Sequence, residues 1–247
     1  MRKLLAALVL VGALVLPVPA AHAATPRFQI RCQTSHLAQE DPIVSRGVPS
    51  AHLHEFFGNT TTHSLSTYES MTAGGTTCSA AADTAGYWVP TLISHDGQVV
   101  RAKTILLYYR GAEGVRTVAF PPDLRMVSHN SRVEADPSVG ASTSNIIIKF
   151  PSCWDGVRTD SADHISHMAE STGKGCPTSH PIRVPALTIV ARYPIQSVSG
   201  HTLSSGLLST MHADFWNTWN QPGLEALVAG CLNNSAEPCP RIDGGVR

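Results

Sequence analysis

Leu187-Thr188-Ile189-Val190-Ala191-Arg192-Tyr193, fenced by Pro185 and Pro194, is the stretch whose reading decides the fold. A short run rich in β-branched and aromatic residues between turn formers reads as a strand. Runs of the same kind recur at 28–32, 99–109, 115–120, 145–150 and 207–215, separated by Gly, Pro, Asp and Ser turns. One helical pattern stands against them: Leu224, Leu227, Val228 and Cys231 follow i, i+3, i+4, i+7 spacing after Pro222-Gly223. Short strands, long loops and one short C-terminal helix predict a mainly β fold, an antiparallel sandwich or jelly-roll-like domain.

Working outward, the 247 residues contain no repeat, charge block or long Pro/Ser linker, so one domain from residue 24 to 247 is expected. Hydrophobic residues make up 43% and charged residues 15%, which excludes a disordered polyelectrolyte. Lys+Arg and Asp+Glu balance at 18 each, so no net positive field exists to hold nucleic acid or an anionic membrane. Arg2 and Lys3, the apolar run from Leu4 to Leu16, and Ala21-His22-Ala23 form a basic, hydrophobic and cleavable series, read as a secretory signal over residues 1–23. No later stretch is long enough for a membrane span, so a secreted, extracellular monomer is expected.

All six cysteines follow the predicted cleavage point, and an even number in an oxidising compartment argues for disulfides. Order along the chain favours Cys32–Cys78, Cys153–Cys176 and Cys231–Cys239 as the simplest pairing. A thiolate zinc site needs close C-x-x-C spacing, and the chain has none. The intervals 33–87 and 151–185 read as unusually long loops; they hold three of the cysteines and most of the histidines, and the site is expected there.

Four segments concentrate imidazoles. In Ala51-His52-Leu53-His54-Glu55, an extended backbone turns His52 and His54 to the same side, a chelating arrangement. Asp163-His164-Ile165-Ser166-His167 puts His164 and His167 on one face if helical and on opposite faces if extended, with Asp163 placed to orient a ligand. His180 is stiffened between Cys176-Pro177 and Pro181. His212 and Asp214 again share a face on a strand, next to Trp216 and Trp219, whose indoles either stack on sugars or fill the core. Each segment alone also fits an ordinary turn or surface; together they suit Zn, Cu, Mn or Fe better than Ca or Mg. His36, His63, His95, His129 and His201 lack a partner at chelating spacing and read as surface residues.

The chain lacks G-x-S-x-G, H-E-x-x-H, a P-loop and a dinucleotide fingerprint. A carboxylate pair for glycoside hydrolysis remains open among Asp155, Asp160, Asp163, Glu170 and Asp214.

The ordered motifs Asp41-Pro42-Ile43-Val44, His52-x-His54-x-Phe56-x-Gly58, Tyr87-Trp88-Val89-Pro90, Phe150-Pro151-Ser152-Cys153-Trp154-Asp155-Gly156, Asp163-His164-x-Ser166-His167-Met168, Cys176-Pro177-x-x-His180-Pro181 and His212-x-Asp214-Phe215 resemble a family of exported bacterial and fungal proteins. That family is filed as domain of unknown function nineteen ninety-six. The resemblance runs from about Phe28 to Trp219 and implies that the histidine segments belong to one site; it implies no activity. Two departures stand out: Asp123 occupies a position where the pattern looks like Gly, which suggests a changed turn, and Thr218 replaces the Gly before Trp219. Some fungal members join this domain to modules that look carbohydrate-binding, which implies a cell-wall polysaccharide as substrate.

The expected function is therefore a metal-dependent or carboxylate-dependent enzyme acting on extracellular polysaccharide. His52, His54, His167 and His212 would be ligands of one transition metal ion (Zn, Cu, Mn or Fe), His180, Asp214 and Asp163 the catalytic and orienting groups, and Trp154, Trp216 and Trp219 the sugar platform. The rivals are a non-catalytic glycan-binding module and a metal-binding protein without substrate.

Overall fold

The computed structural model describes residues 25–135, 143–173, 175–234, 239 and 241–242; the predicted signal lies outside them. Two sheets carry the fold. One has six strands in the order Arg241–Ile242, Arg27–Cys32, Thr104–Arg110, Ala186–Tyr193, Ser144–Lys149, Asn130–Ala135. The other has five: Thr34–Ala38, His54–Gly58, Gly86–Pro90, Ala213–Trp216, Arg125–Ser128. All pairings in both sheets are antiparallel except the short join of Arg241–Ile242 to Arg27–Cys32.

Side-chain alternation along each strand sets the two faces. Leu187, Ile189, Ala191 and Tyr193 point inward with Ile105, Leu107, Tyr109, Ile146 and Ile148, and they meet Phe57, Tyr87, Val89 and Phe215 of the second sheet in one buried cluster. Burying each large apolar side chain there contributes about 1.5–3 kcal/mol. On its other face the five-stranded sheet carries Phe56, Trp88, Val127 and Trp216, packed under Ile43 and under Met71 of the helix Tyr68–Thr72. This sheet is thus covered on both sides, and the outer cover is where the histidine segments lie.

A line of hydrogen bonds runs through the main core. The Trp219 indole donates to the Tyr109 hydroxyl at 3.1 Å, Tyr109 and Tyr87 share a bond of 2.6 Å, and Tyr87 donates to the fully buried Asp83 carboxylate at 3.0 Å. Disulfides join Cys32–Cys78, Cys153–Cys176 and Cys231–Cys239, the pairing that chain order favours.

Several expected elements come out differently. Residues 115–120 form no strand: Val115 makes an isolated bridge to Ala112, and the chain runs into Pro121-Pro122, which offer no donors to a ladder. The run 99–109 is cut in two, because the Ala102 amide leaves the sheet to donate to Glu55 Oε2 at 3.1 Å. The run 207–215 opens with the 3-10 turn Leu208–Thr210 and becomes a strand only at Ala213. The interval 33–87 is not a loop, since it holds two strands, the start of a third and a helix. The terminal helix begins early, at Gln221, capped by the Asn220 side chain, and continues as a π-helical turn over Val228–Leu232.

Candidate metal centre

The centre follows from strand direction. His54–Gly58 and Ala213–Trp216 both run antiparallel to the strand between them, Gly86–Pro90, so they run parallel to each other and start at the same end of the sheet. Phe56 and Trp216 face the outer cover, so His54 and Asp214, two residues before them, face it too. His52 and His212 lie two residues further upstream. Four potential ligands from distant parts of the sequence thereby reach one edge of one face.

The distances give two triads that share His54. Ligand atoms of His52, His54 and His212 lie within 4.8 Å of one another, as do those of Asp41, His54 and Asp214. The ring centroids of His52 and His54 are 4.3 Å apart, those of His52 and His212 5.1 Å, and those of His54 and His212 5.7 Å. His54 Nδ1 donates to the Glu40 carbonyl at 2.8 Å and His212 Nδ1 to the Thr210 carbonyl at 2.9 Å, tautomers assigned from these acceptors. Each ring therefore presents the lone pair of Nε2 to the cleft, as histidine ligands do when a carbonyl holds their other nitrogen.

His52 Nε2 stands 3.3 Å from His212 Nε2. Two ligands held about 2.0–2.1 Å from a tetrahedral ion are separated by about 3.3 Å, so the spacing suits two corners of a tetrahedron. Without an ion, the same spacing needs a proton between the nitrogens.

Burial prepares the donors. It pushes His54 down to about 3, with His52 adding to the effect, and His212 down to about 4; it also lowers His52. The imidazoles are thus uncharged at neutral pH, the form that binds metal. Asp214 is fully buried, and neither of its carboxylate oxygens has a hydrogen-bond partner among the described residues; the same is true of His54 Nε2. Burial, reinforced by nearby Asp41, raises Asp214 well above the carboxylate range. Asp41 is itself raised by burial, although its Oδ1 accepts from the Ile43 and Val44 amides at 2.9 and 3.0 Å. An orphaned buried carboxyl beside neutral imidazoles is an arrangement that a cation relieves.

The other expected residues lie elsewhere. His167 is buried with both nitrogens engaged, Nδ1 with Ser161 Oγ at 2.9 Å and Nε2 with the Arg125 carbonyl at 2.6 Å, so it anchors the loop and has no lone pair for an ion. Asp163 is exposed and accepts from Ser161 Oγ and the Ile165 and Ser166 amides; these bonds, the Ser166 amide first, hold its carboxyl well below the usual range. It builds the turn, and through Ser161 Oγ it is linked to His167. His180 bonds to Ser179 Oγ and to the Ser166 carbonyl, outside the cluster. Trp216 and Trp219 are core residues with 0% and 1% exposure and offer no face to a sugar. Trp154 is half-buried, its indole donating to the Arg158 carbonyl at 2.6 Å.

Three residues enter without having been assigned there. Asp41 joins as a ligand candidate; its only sequence signal was its place in the first motif. His164, not His167, lies near enough to Asp41 to act on its charge. Its Nδ1 bonds Asp160 Oδ1 at 2.9 Å, and its φ of 57° is a left-handed conformation rare for a non-glycine residue. His129, read as a surface residue, is exposed at the rim with its ring 5.5 Å from that of His212.

A family model described as Domain of unknown function (DUF1996) matches residues 41–144 and 134–219. The chain belongs to that family. Neither a curated protein nor a solved structure matches this DUF1996 chain. The matched segments contain every donor of the centre, from Asp41 to Asp214. The departure at Asp123 also finds its reason: its φ of 66° is one that glycine adopts freely, and its Oδ1 accepts from the Trp216 indole at 2.7 Å. Thr218 is buried and donates to the Thr84 carbonyl at 2.6 Å.

Proposed function

We propose that this DUF1996 chain is an exported, monomeric metalloenzyme that holds one transition metal ion between His52, His54, His212 and Asp214 and acts on extracellular polysaccharide. The observation that carries the metal is the 3.3 Å approach of two imidazole nitrogens. Three nitrogens and a carboxylate oxygen suit Zn, Cu, Mn or Fe. The three disulfides support an oxidising destination, and among the described residues no helix is long and apolar enough to cross a membrane.

An ion held by these residues would supply charge to polarise a substrate oxygen or acidify a bound water. The chain's own residues do the rest. Asp160 engages His164 Nδ1 at 2.9 Å and so fixes the orientation of that ring. Asp41 and Asp214, whose burial favours the protonated form, would give up their protons to a bound cation, and half-buried His52 with exposed His129 leaves the outer side open to a chain-like substrate.

The test is metal analysis of untagged protein after reconstitution, with His212→Ala and Asp214→Asn alongside. About one equivalent is expected for the wild type and a large loss in either variant; less than about a tenth of an equivalent in the wild type overturns the metal reading. Reducing ends released from wall polysaccharides, with and without chelator, then separate an enzyme from a metal-binding protein without substrate. With two of the three indoles in the core, the glycan-binding-module reading loses its platform.

A further inference from the structure

The opposite side of the molecule carries a second feature, independent of the metal reading. The outer face of the six-stranded sheet forms an open groove of about 530 Å³ lined by Arg27, Arg110, Arg132, Lys149 and Arg192, with Glu134 as the sole carboxylate among the described residues that line it. In a chain whose basic and acidic residues balance, this is a marked local segregation of charge. The strand register brings it about. Arg27 pairs directly with Arg110, Lys149 pairs with Thr188 beside Tyr108, and Ile147 pairs with Arg132, so outward positions on five adjacent strands fall on one surface. At about 4.8 Å per strand, the cationic strip is about 19 Å wide.

Among the described residues that line it, one carboxylate stands against five basic side chains. Glu134 is taken by Arg132, while Arg110 donates to Thr188 Oγ1 at 2.9 Å and lies over the Tyr108 ring at 4.8 Å, contacts that leave its charge uncompensated. Partial burial, followed by the charge of Arg27, lowers Arg110 from its ordinary value. Beneath the cations, Leu106, Ile147 and Val190 form an apolar floor with Tyr108 beside them. Arginine forks bind carboxylates through paired hydrogen bonds, and an apolar floor with a single aromatic suits the faces of sugar rings better than a stack of bases.

We propose that this groove docks an acidic polysaccharide, its carboxylates on Arg27, Arg110, Arg132, Lys149 and Arg192 and its ring faces on the floor. The groove lies across the sandwich from the candidate metal centre, so it anchors the protein to the polymer without contributing to the reaction.

The test is affinity electrophoresis of the full mature chain through gels containing polygalacturonate, against gels containing its fully methyl-esterified form. Retardation is expected in the first only, falling steeply as salt rises. The double variant Arg27→Glu/Lys149→Glu changes two exposed positions and is expected to bind at least about tenfold more weakly with an unchanged melting temperature. His52→Ala is expected to bind as wild type does, which separates this outcome from any failure of the metal reading. Equal retardation by both polymers, undiminished binding by the double variant, or complete displacement by single-stranded DNA at equal charge concentration would each overturn the proposal.

Discussion

Replacing Asp83 by Asn removes a pH dependence that its burial builds into the fold. Asp83 is fully buried, and burial pushes its pKa up to about 8, against the opposing bonds from Tyr87 and the Ala85 amide. A carboxyl whose pKa is higher folded than unfolded keeps its proton in the folded state after the unfolded chain has lost it. Its contribution is therefore complete below about pH 4 and is lost as pH rises towards 8. At about 1.4 kcal/mol per pH unit, four units amount to a loss on the order of 5 kcal/mol. The amide introduced by Asp83→Asn would still accept from the Tyr87 hydroxyl but would add an N–H donor without a partner, at a cost of about 1 kcal/mol. Asp83→Asn is thus expected to be slightly less stable than wild type at pH 4.5 and more stable by several kcal/mol at pH 8. Guanidinium unfolding midpoints for both proteins at half-unit pH steps measure the difference, which cancels the opposite trend from the lowered histidines. A difference that stays constant from pH 4.5 to 8 would show that Asp83 ionises alike in both states and refute the reasoning.

Three further outcomes are expected. Asp214→Asn removes a buried carboxyl with no partner, so the metal-free variant should melt a few degrees above metal-free wild type, while metal raises its melting temperature less; a variant that melts lower without metal would contradict this. Replacing Cys32 and Cys78 by Ser opens a closure of 46 residues and should cost about 4 kcal/mol in thermal or denaturant unfolding; because that closure contains His52 and His54, metal affinity should fall with it. Asp123→Gly relaxes a left-handed residue but strips the Trp216 indole of its acceptor, so a net loss of about 1 kcal/mol is expected, whereas Asp123→Asn should be close to neutral; a stabilised Asp123→Gly would show that the indole bond contributes little.

The reach of sequence reading depended on which strands have one predominantly apolar face and many β-branched residues. Ala186–Tyr193 and Ser144–Lys149 do, and they were legible. His54–Gly58 and Gly86–Pro90 are buried at every position because their sheet is covered on both sides, so alternation vanishes, and a histidine, a glutamate, two glycines and a proline hide the strand character that remains. Residues 115–120 carry strand-like composition without a partner strand, and composition does not encode partners.

At the centre, period-two spacing was the readable element. His52-x-His54 and His212-x-Asp214 each placed two donors on one side, and that local rule held without knowledge of topology. What no spacing could reveal is that these strands share a direction with a single strand between them, the arrangement that turns two pairs of donors into one group. The His164/His167 segment shows the converse. Its i, i+3 reading presupposes a helix, whereas the left-handed backbone at His164 sends the two rings to different neighbours, one to Asp160 and the other to the Arg125 carbonyl. A left-handed histidine held by a carboxylate is costly to keep for packing alone, since glycine would adopt the same turn without strain. The strain at His164 is thus held in a turn whose ring is tied to Asp160 and whose charge reaches Asp41.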